Sequence, residues 1–415
     1  MLVTDWLAVG AFSLGLLLLQ VPAAAILLSR LLKGPSRHPP IEPSFATPEL
    51  LGTVSVVVPT LNEAERIGPC LLGLSRQGYE VREVIVVDSN SQDGTPDLVK
   101  AAQQKDPRFR LITDDPLPGG WVGRPWALHN GFLQIEKDSS CAPVQWILGV
   151  DADTQPQPGL VAGLVRVAQA QGYDLVSLSP QFILKYPGEC WLQPALLITL
   201  LYRFNPAGSD TQVAERVMAN GQCFLCRREV LAQMGGYTSA CGSFCDDVTL
   251  ARNVAACGFK VGFLDGAKVL KVRMYEGAVQ TWKEWGRSLD LKDACSTAQL
   301  WGDLWLLLAV QGLPLPIVCS YLLLSPHLPL IPRGDPEFPI SLSPPLLLFE
   351  LNLFLLAIRF ALLLAVSPAY DRSKALAGWT FWLSPLADPL AVLRIFLSAL
   401  STPTHWRGRD YKVGR

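Results

Sequence analysis

Apolar and polar positions run along this chain in two distinct rhythms. Residues 6–32 form an unbroken apolar block, long enough to cross a bilayer, which takes about 20 helical residues. Its basic neighbours Arg30, Lys33 and Arg37 come late in the block or after it, the reverse of a signal peptide. The positive-inside rule then predicts that the following chain is cytoplasmic. Residues 33–52 are proline-rich and read as a stiff linker. From 53 to 275 the rhythm changes. Short Val/Ile runs ("VSVVVPT", "EVIVVDSNS", "FRLITD", "VQWILGVDAD", "YDLVSLS") alternate with stretches of helical periodicity such as "EAERIGPCLLGLSRQ" and "TPDLVKAAQQK". This predicts an α/β domain on a doubly wound, largely parallel sheet, with strands buried on both faces.

Beyond 275 the pattern turns apolar again. Residues 276–299 place Trp282, Trp285 and Leu289 at helical spacing, with Lys283, Glu284, Arg287 and Asp290 between them. That is an amphipathic helix, lying on a membrane surface or facing a core. Residues 304–324 and 343–366 are predicted transmembrane helices. A further apolar segment, 375–400, contains Pro385, Asp388, Pro389 and Arg394. It is transmembrane or re-entrant, because charge at bilayer depth is costly. The basic tail 401–415 and the loop with Arg372 and Lys374 are both cytoplasmic only if that segment does not fully cross. The stretch 190–204, "CWLQPALLITLLYRF", is too short for an ordinary span. It lines a lipid's route or forms a buried core helix.

Composition agrees with a soluble domain joined to membrane segments: 50% of the 415 residues are hydrophobic and only 17% charged. A net charge of −1 provides no basic field for nucleic acid. Ten cysteines show no regular framework. The pairs Cys223/Cys226 and Cys241/Cys245 have spacings that zinc thiolates use. The first pair lies in an apolar run with no histidine nearby, so these read as reduced thiols in a cytosolic domain.

The chemistry-bearing residues collect where predicted strands end, the edge at which doubly wound sheets bind ligands. After the first strand and Pro59, Thr60 and Glu63 match a capping box that would start a helix. Asp88 ends the second, followed by the polar turn Ser89, Asn90 and Asp93. A carboxylate there can accept a base imide N–H or bind ribose hydroxyls, or simply organise the turn. Gly119, Gly120 and Gly123 precede Arg124, whose planar guanidinium suits a diphosphate. His129 falls in a helical pattern, where packing is the stronger reading. Asp151 and Asp153 end a further strand as a carboxylate pair suited to a divalent cation. Asp246 and Asp247 open a helical pattern, either as dipole partners or as a general base. The string "DADT" also matches the Asp-x-Asp-x-Thr signature of haloacid-dehalogenase-type phosphatases, where the first Asp is a nucleophile. That signature opens its domain, whereas here two strand-and-turn units precede it.

Taken in order, "VSVVVPTLNEAERI", "VIVVDSNSQDGT", "GRPWALHNG", "ILGVDADTQPQPG", "MANGQCFLCRREVLAQMGGY" and "CDDVTLARNV" resemble glycosyltransferase family 2 over roughly residues 53–260. The resemblance implies the GT-A fold, inverting transfer and a UDP- or GDP-linked nucleotide-sugar donor. It implies that Asp88 contacts the base or ribose, that Asp151 and Asp153 form the Asp-x-Asp motif for a divalent cation (Mg or Mn) and diphosphate, and that Asp247, with Asp246 second, is the base. Pro59, Glu63, Asn90 and Arg124 complete the expected donor site. Asp246 stands where the family has Glu, and Arg124 where Lys is common. Flanking motifs, including "KVRMYEGAVQTWKEWGRS" and "HWRGRDY", resemble a membrane-anchored group that glycosylates carotenoids, such as myxol at its 2'-hydroxyl, and related polyisoprenoid lipids. "TWKEWGR" occupies the place of the Gln-x-x-Arg-Trp motif of processive synthases, which implies single transfer. The expected enzyme is thus a membrane glycosyltransferase with a lipid acceptor, most simply a carotenoid, and otherwise a hopanoid or glycerolipid.

Overall fold

The computed structural model describes residues 2–114, 116–137, 144–211, 213–286, 289–324 and 343–401, with the backbone of 405–406 and 409–410; side chains are described from residue 8 to residue 401. The predicted Val/Ile runs are strands. Val54–Thr60 (β1), Val81–Asp88 (β2), Phe109–Thr113 (β3), Trp146–Val150 (β4), Leu175–Ser179 (β5), Cys223–Arg227 (β6) and Val261–Asp265 (β7) form one sheet in the order β3-β2-β1-β4-β6-β5-β7. β1 runs parallel to β2 and β4, and β2 parallel to β3. β6 is antiparallel to both β4 and β5, while β5 and β7 are parallel. This is the mixed doubly wound sheet expected of a GT-A domain.

Alternation along β1 shows why these runs fold as central strands. Successive side chains point to opposite faces. Val56 and Val58 join one apolar cluster, and Val57 joins the cluster on the other face with Ile85 and Val87. All are fully buried, each contributing roughly 1.5–3 kcal/mol. Helices Ile67–Ser75 (α2), Thr95–Lys105 (α3), Gly123–Lys137 (α4) and Leu160–Gln171 (α5) cover the faces; the N-terminal helix Leu2–Leu31 is α1. At Gly131 a Cβ would lie 2.3 Å from Val57 Cγ1, so glycine lets α4 pack directly on β1.

Among the described residues, four apolar helical stretches are long enough to cross a membrane: 8–36, 297–324, 344–369 and 378–400. They pack with helix Pro187–Arg203 (α6), through Leu27, Leu196, Leu307, Leu355 and Ile395. Residues 190–203 therefore belong to a largely buried helix of this bundle, capped by Phe204. The last stretch is broken, as its prolines foretold: a 3₁₀ run, Gly378–Ala387, turns at Asp388-Pro389 into a helix, Asp388–Leu400. Its charge is paired inside the bundle. Arg359 Nε donates to Asp388 Oδ2 at 2.8 Å and Oδ1 at 3.1 Å, and Gln311 Nε2 donates to Oδ1 at 3.1 Å.

Two expectations differ from the structure. The amphipathic stretch 276–299 is not one helix. Gly277–Gln280 continues into a π-helical turn, Thr281–Trp285, and a 3₁₀ turn follows at Lys292–Ala294. Trp285 and Leu289 face the bundle core, which fits the core-facing alternative. Arg287 lies outside the described residues, as does most of the basic tail, apart from backbone pairing of 405–406 with 409–410. The capping box does not form either. Thr60 stays in β1, its hydroxyl donating to Val87 O and Asp88 Oδ1, and the helix starts only at Ile67. The proline-rich segment is held against the domain. His38 N donates to Gly208 O (2.7 Å), Ile41 N to Asp265 O (2.8 Å) and Ser44 N to Gly159 O (3.1 Å), so it lies as a strap along the domain.

Candidate functional site

The carboxyl ends of β1, β2 and β4 meet the start of β6 at one edge of the sheet. Below this edge opens a cavity of about 1410 Å³. Glu63, Arg124, Asp151, Asp153, Asp246 and Asp247 all stand on its wall. Three other expected residues do not. Pro59 lies within β1. Asp88 is buried, accepting from Thr60 Oγ1 (3.1 Å), Ser91 N (2.9 Å) and Ser91 Oγ (2.6 Å). Asn90 is exposed at φ 66°, its Oδ1 accepting from Gln92 Nε2 at 3.0 Å. The neighbouring Ser91 and Asp93 tie the loops together: Asn62 N donates to Ser91 Oγ, and Ala64 N to Asp93 Oδ2, both at 2.8 Å.

Arg124 sits at the N-terminus of α4, where a strand-to-helix turn presents it to the acids. Its Nε donates to Asp151 Oδ1 at 2.9 Å, Nη1 pairs with Asp246 Oδ2, and Nη2 donates to Gly221 O at 2.5 Å. Burial works against the guanidinium charge, but Asp151, Asp246 and Asp247 outweigh it and hold Arg124 protonated well above its ordinary value. Asp246 and Asp247 form the first turn of helix Asp246–Ala256 (α7). Burial pushes the Asp246 carboxyl up to about 7, although Arg124 opposes the shift. Burial likewise raises Asp247, against Arg124 and the Gly221 N–H that Oδ2 accepts at 2.6 Å. A carboxylate whose pKa moves towards neutrality suits proton abstraction. Asp246 is engaged by Arg124, whereas Asp247 is held by the Gly221 N–H.

Asp153 provides the test of fit for a cation. Its Oδ1 is buried without a hydrogen-bond partner. Burial, and then the neighbouring Asp151, push its carboxyl up to about 7. An orphaned, desolvated oxygen beside a second carboxylate is the environment a hard divalent ion relieves. Among the described residues no group of three or more His, Cys, Asp or Glu is arranged to hold an ion unaided. A cation at Asp151/Asp153 would thus share its shell with phosphate oxygens and water. The zinc reading of the cysteines finds no support. Cys223 and Cys226 are buried in β6, and the described cysteines are all free.

His129 has the packing role. Its Nδ1 accepts from Tyr237 N at 3.4 Å, its ring sits 5.0 Å from that of Trp121, and burial lowers its pKa, leaving it neutral near pH 7. Gly221 was invisible as a functional residue in the sequence, where it sits inside "MANGQCFLC". Its N–H holds Asp247 and its carbonyl holds Arg124.

The far half of the cavity is apolar. Leu197, Leu200 and Leu201 of α6 face it, with Trp285, Leu362 and Val366. One continuous space therefore joins the acidic edge to the helical bundle.

Known proteins are similar to parts of this chain. The 4,4'-diaponeurosporenoate glycosyltransferase of Staphylococcus haemolyticus is 23% identical over 242 residues, covering 58% of this chain and 62% of that protein. The undecaprenyl-phosphate 4-deoxy-4-formamido-L-arabinose transferase of Serratia proteamaculans is 33% identical over 132 residues, covering 31% and 37%. The chain thus spans less than two thirds of the length of these relatives. The mannosyltransferase PcManGT of Pyrobaculum calidifontis, solved with GDP-Man and Mn2+, superposes with a TM-score of 0.47 at 19% identity, covering 94% of this chain and 98% of that one. Residues 55–235 match the family model described as Glycosyl transferase family 2, and the chain carries a domain of that family on its mixed sheet.

Proposed function

We propose that the protein is an inverting, non-processive membrane glycosyltransferase that moves one sugar from a nucleotide-sugar donor to a hydroxyl of a lipid acceptor. The observation that carries this reading is the single cavity, acidic at the sheet edge and apolar between α6 and the helix Pro344–Val366 (chain position 344–366). A polar donor and an apolar acceptor need such a divided space. The family domain supports the donor class. The similarity to a diaponeurosporenoate glycosyltransferase supports a carotenoid-type acceptor, for which a myxol-like hydroxylated carotenoid is the specific proposal.

In this reading the UDP- or GDP-linked sugar lies along the edge formed by the β1, β2 and β4 ends, near Glu63 and the loops that Asp88 and Asn90 organise. Asp151 and Asp153 hold a magnesium or manganese ion, which when bound supplies positive charge that stabilises the departing nucleoside diphosphate. Arg124 fixes the orientation of Asp151 and Asp246 around that position. Asp247 takes the proton of the acceptor hydroxyl. The oxygen forms its bond to the anomeric carbon from the face opposite the diphosphate, whose bond to that carbon breaks, and the configuration inverts. The catalytic domain faces the cytoplasm, where nucleotide sugars are available, with the apolar stretches spanning or re-entering the membrane.

Transfer of radiolabelled sugar from UDP- and GDP-sugars to extracted membrane lipids tests the reading. Asp247→Asn should reduce transfer by roughly 10²–10⁴-fold while nucleotide binding persists. Release of inorganic phosphate from phosphate esters without any glycolipid would instead favour the phosphatase reading of "DADT". Pigments of a deletion strain test the acceptor: loss of a carotenoid glycoside with accumulation of its aglycone is expected, and an unchanged pigment profile would overturn the carotenoid assignment.

A further inference from the structure

The cavity presents a charge problem that the expected residues do not solve. Asp151, Asp153, Asp246 and Asp247 place four carboxylates on its wall, and Arg124 is paired to two of them. A diphosphate brings further negative charge to this edge. One divalent cation between Asp151 and Asp153 offsets the charge of those two groups but leaves the diphosphate oxygens short of partners. Anionic ligands bound beside protein carboxylates need a directed cation, because like charges a few ångströms apart in a partly desolvated site repel strongly.

Arg66 answers this requirement. It ends the loop 61–66, every residue of which lies on the cavity wall, and it stands immediately before the first turn of α2. The loop is fixed rather than free. Asn62 N, Glu63 N and Ala64 N donate to Ser91 Oγ, Thr95 Oγ1 and Asp93 Oδ2, and Arg66 N donates to Glu63 O at 2.9 Å. Arg66 is half-buried and makes no ion pair among the described residues, whereas Lys268, another cation on the wall, is paired with Glu42. We propose that Arg66 binds the diphosphate of the donor, and that Arg124, tied to Asp151 and Asp246, organises the carboxylates instead of holding the phosphates. This deepens the donor assignment made above and rests on it.

The test compares the nucleoside diphosphate, UDP or GDP, with the corresponding free nucleoside. Binding is titrated to the full-length protein in detergent with Mn2+ present. Hydrogen bonds to charged groups are worth about 1.5–3 kcal/mol. Arg66→Gln should therefore weaken diphosphate binding roughly 10–100-fold and leave nucleoside binding within about threefold. Arg66→Lys should recover part of the loss. Arg37→Gln, which removes an exposed cation elsewhere on the wall, should change diphosphate binding by less than about threefold. If Arg66→Gln binds the diphosphate as wild type does, or if Arg37→Gln weakens it equally, the assignment to Arg66 is overturned while the donor reading stands. If wild-type protein binds neither UDP nor GDP, the donor reading fails and this inference with it.

Discussion

Replacing Asp153 with asparagine should make the cation-free protein more stable at pH 8 and leave it unchanged near pH 4. Burial and Asp151 push the Asp153 carboxyl from 3.8 up to about 7. A folded-state pKa above the unfolded value means that the fold favours the protonated form. That contribution is fully present below about pH 4 and is lost as pH rises towards 7. Each pKa unit corresponds to about 1.4 kcal/mol, so a shift of about three units sets an upper bound of about 4 kcal/mol. The half-buried position and the sharing of charge with Asp151 reduce this to roughly 1–3 kcal/mol. Asparagine keeps the shape and removes the charge. The assay is thermal unfolding in detergent at pH 4.5 and pH 8, with and without Mn2+. Wild type should gain stability from Mn2+ at pH 8, with little gain at pH 4.5, where protons compete for the site. Asp153→Asn should unfold at a higher temperature than cation-free wild type at pH 8 and should gain nothing from Mn2+. A variant that is less stable at both pH values, or that keeps the full Mn2+ response, would refute the account of a desolvated carboxylate built for a cation.

Three further outcomes follow from the geometry. In Gly221→Ala the new Cβ would lie 2.5 Å from Arg124 Nη2; the guanidinium must shift, and transfer should fall by at least about tenfold, roughly 1.4 kcal/mol in the barrier, with unfolding changed little. Arg359→Leu strands buried Asp388 and should destabilise by roughly 3–5 kcal/mol, seen as poor yield or early unfolding, whereas Arg359→Leu/Asp388→Leu should recover most of it; equal losses in the single and double variants would show that the pair is not what matters. Leu201→Trp narrows the apolar half of the cavity and should impair lipid glycosylation several-fold more than donor hydrolysis; equal impairment would place the acceptor elsewhere.

The strands were legible because burial on both faces writes itself as Val/Ile runs, and β1 matches its run residue for residue. β6 was harder to read as the antiparallel insertion it is. "CFLCR" carries no direction, and its pairing with β4 and β5 comes from tertiary context. The acidic pairs were visible as residue types at strand and helix starts, yet their division of labour was not. Only the coordinates show Arg124 tied to Asp151 and Asp246, which leaves Asp247 to Gly221. The capping box misled because Thr60 found better partners across the sheet in Val87 and Asp88. The amphipathic stretch after 275 misled because spacing alone does not record where a helix breaks.

The strap leaves one consequence for how such a catalyst meets its acceptor. At Gly159 a Cβ would lie 2.7 Å from Ser44 O, and at Gly208 2.7 Å from His38 O, so the backbones touch where only glycine fits. The segment between the first helix and the sheet is therefore packed against the domain along its length, not extended away from it. In the proposed reading, with a long lipid held upright in a bilayer, such an arrangement would act as a depth gauge. It would select a hydroxyl by how far it stands from the membrane mid-plane, and lengthening the strap by a few residues would change which position on the molecule is reached before it changed which molecule is accepted.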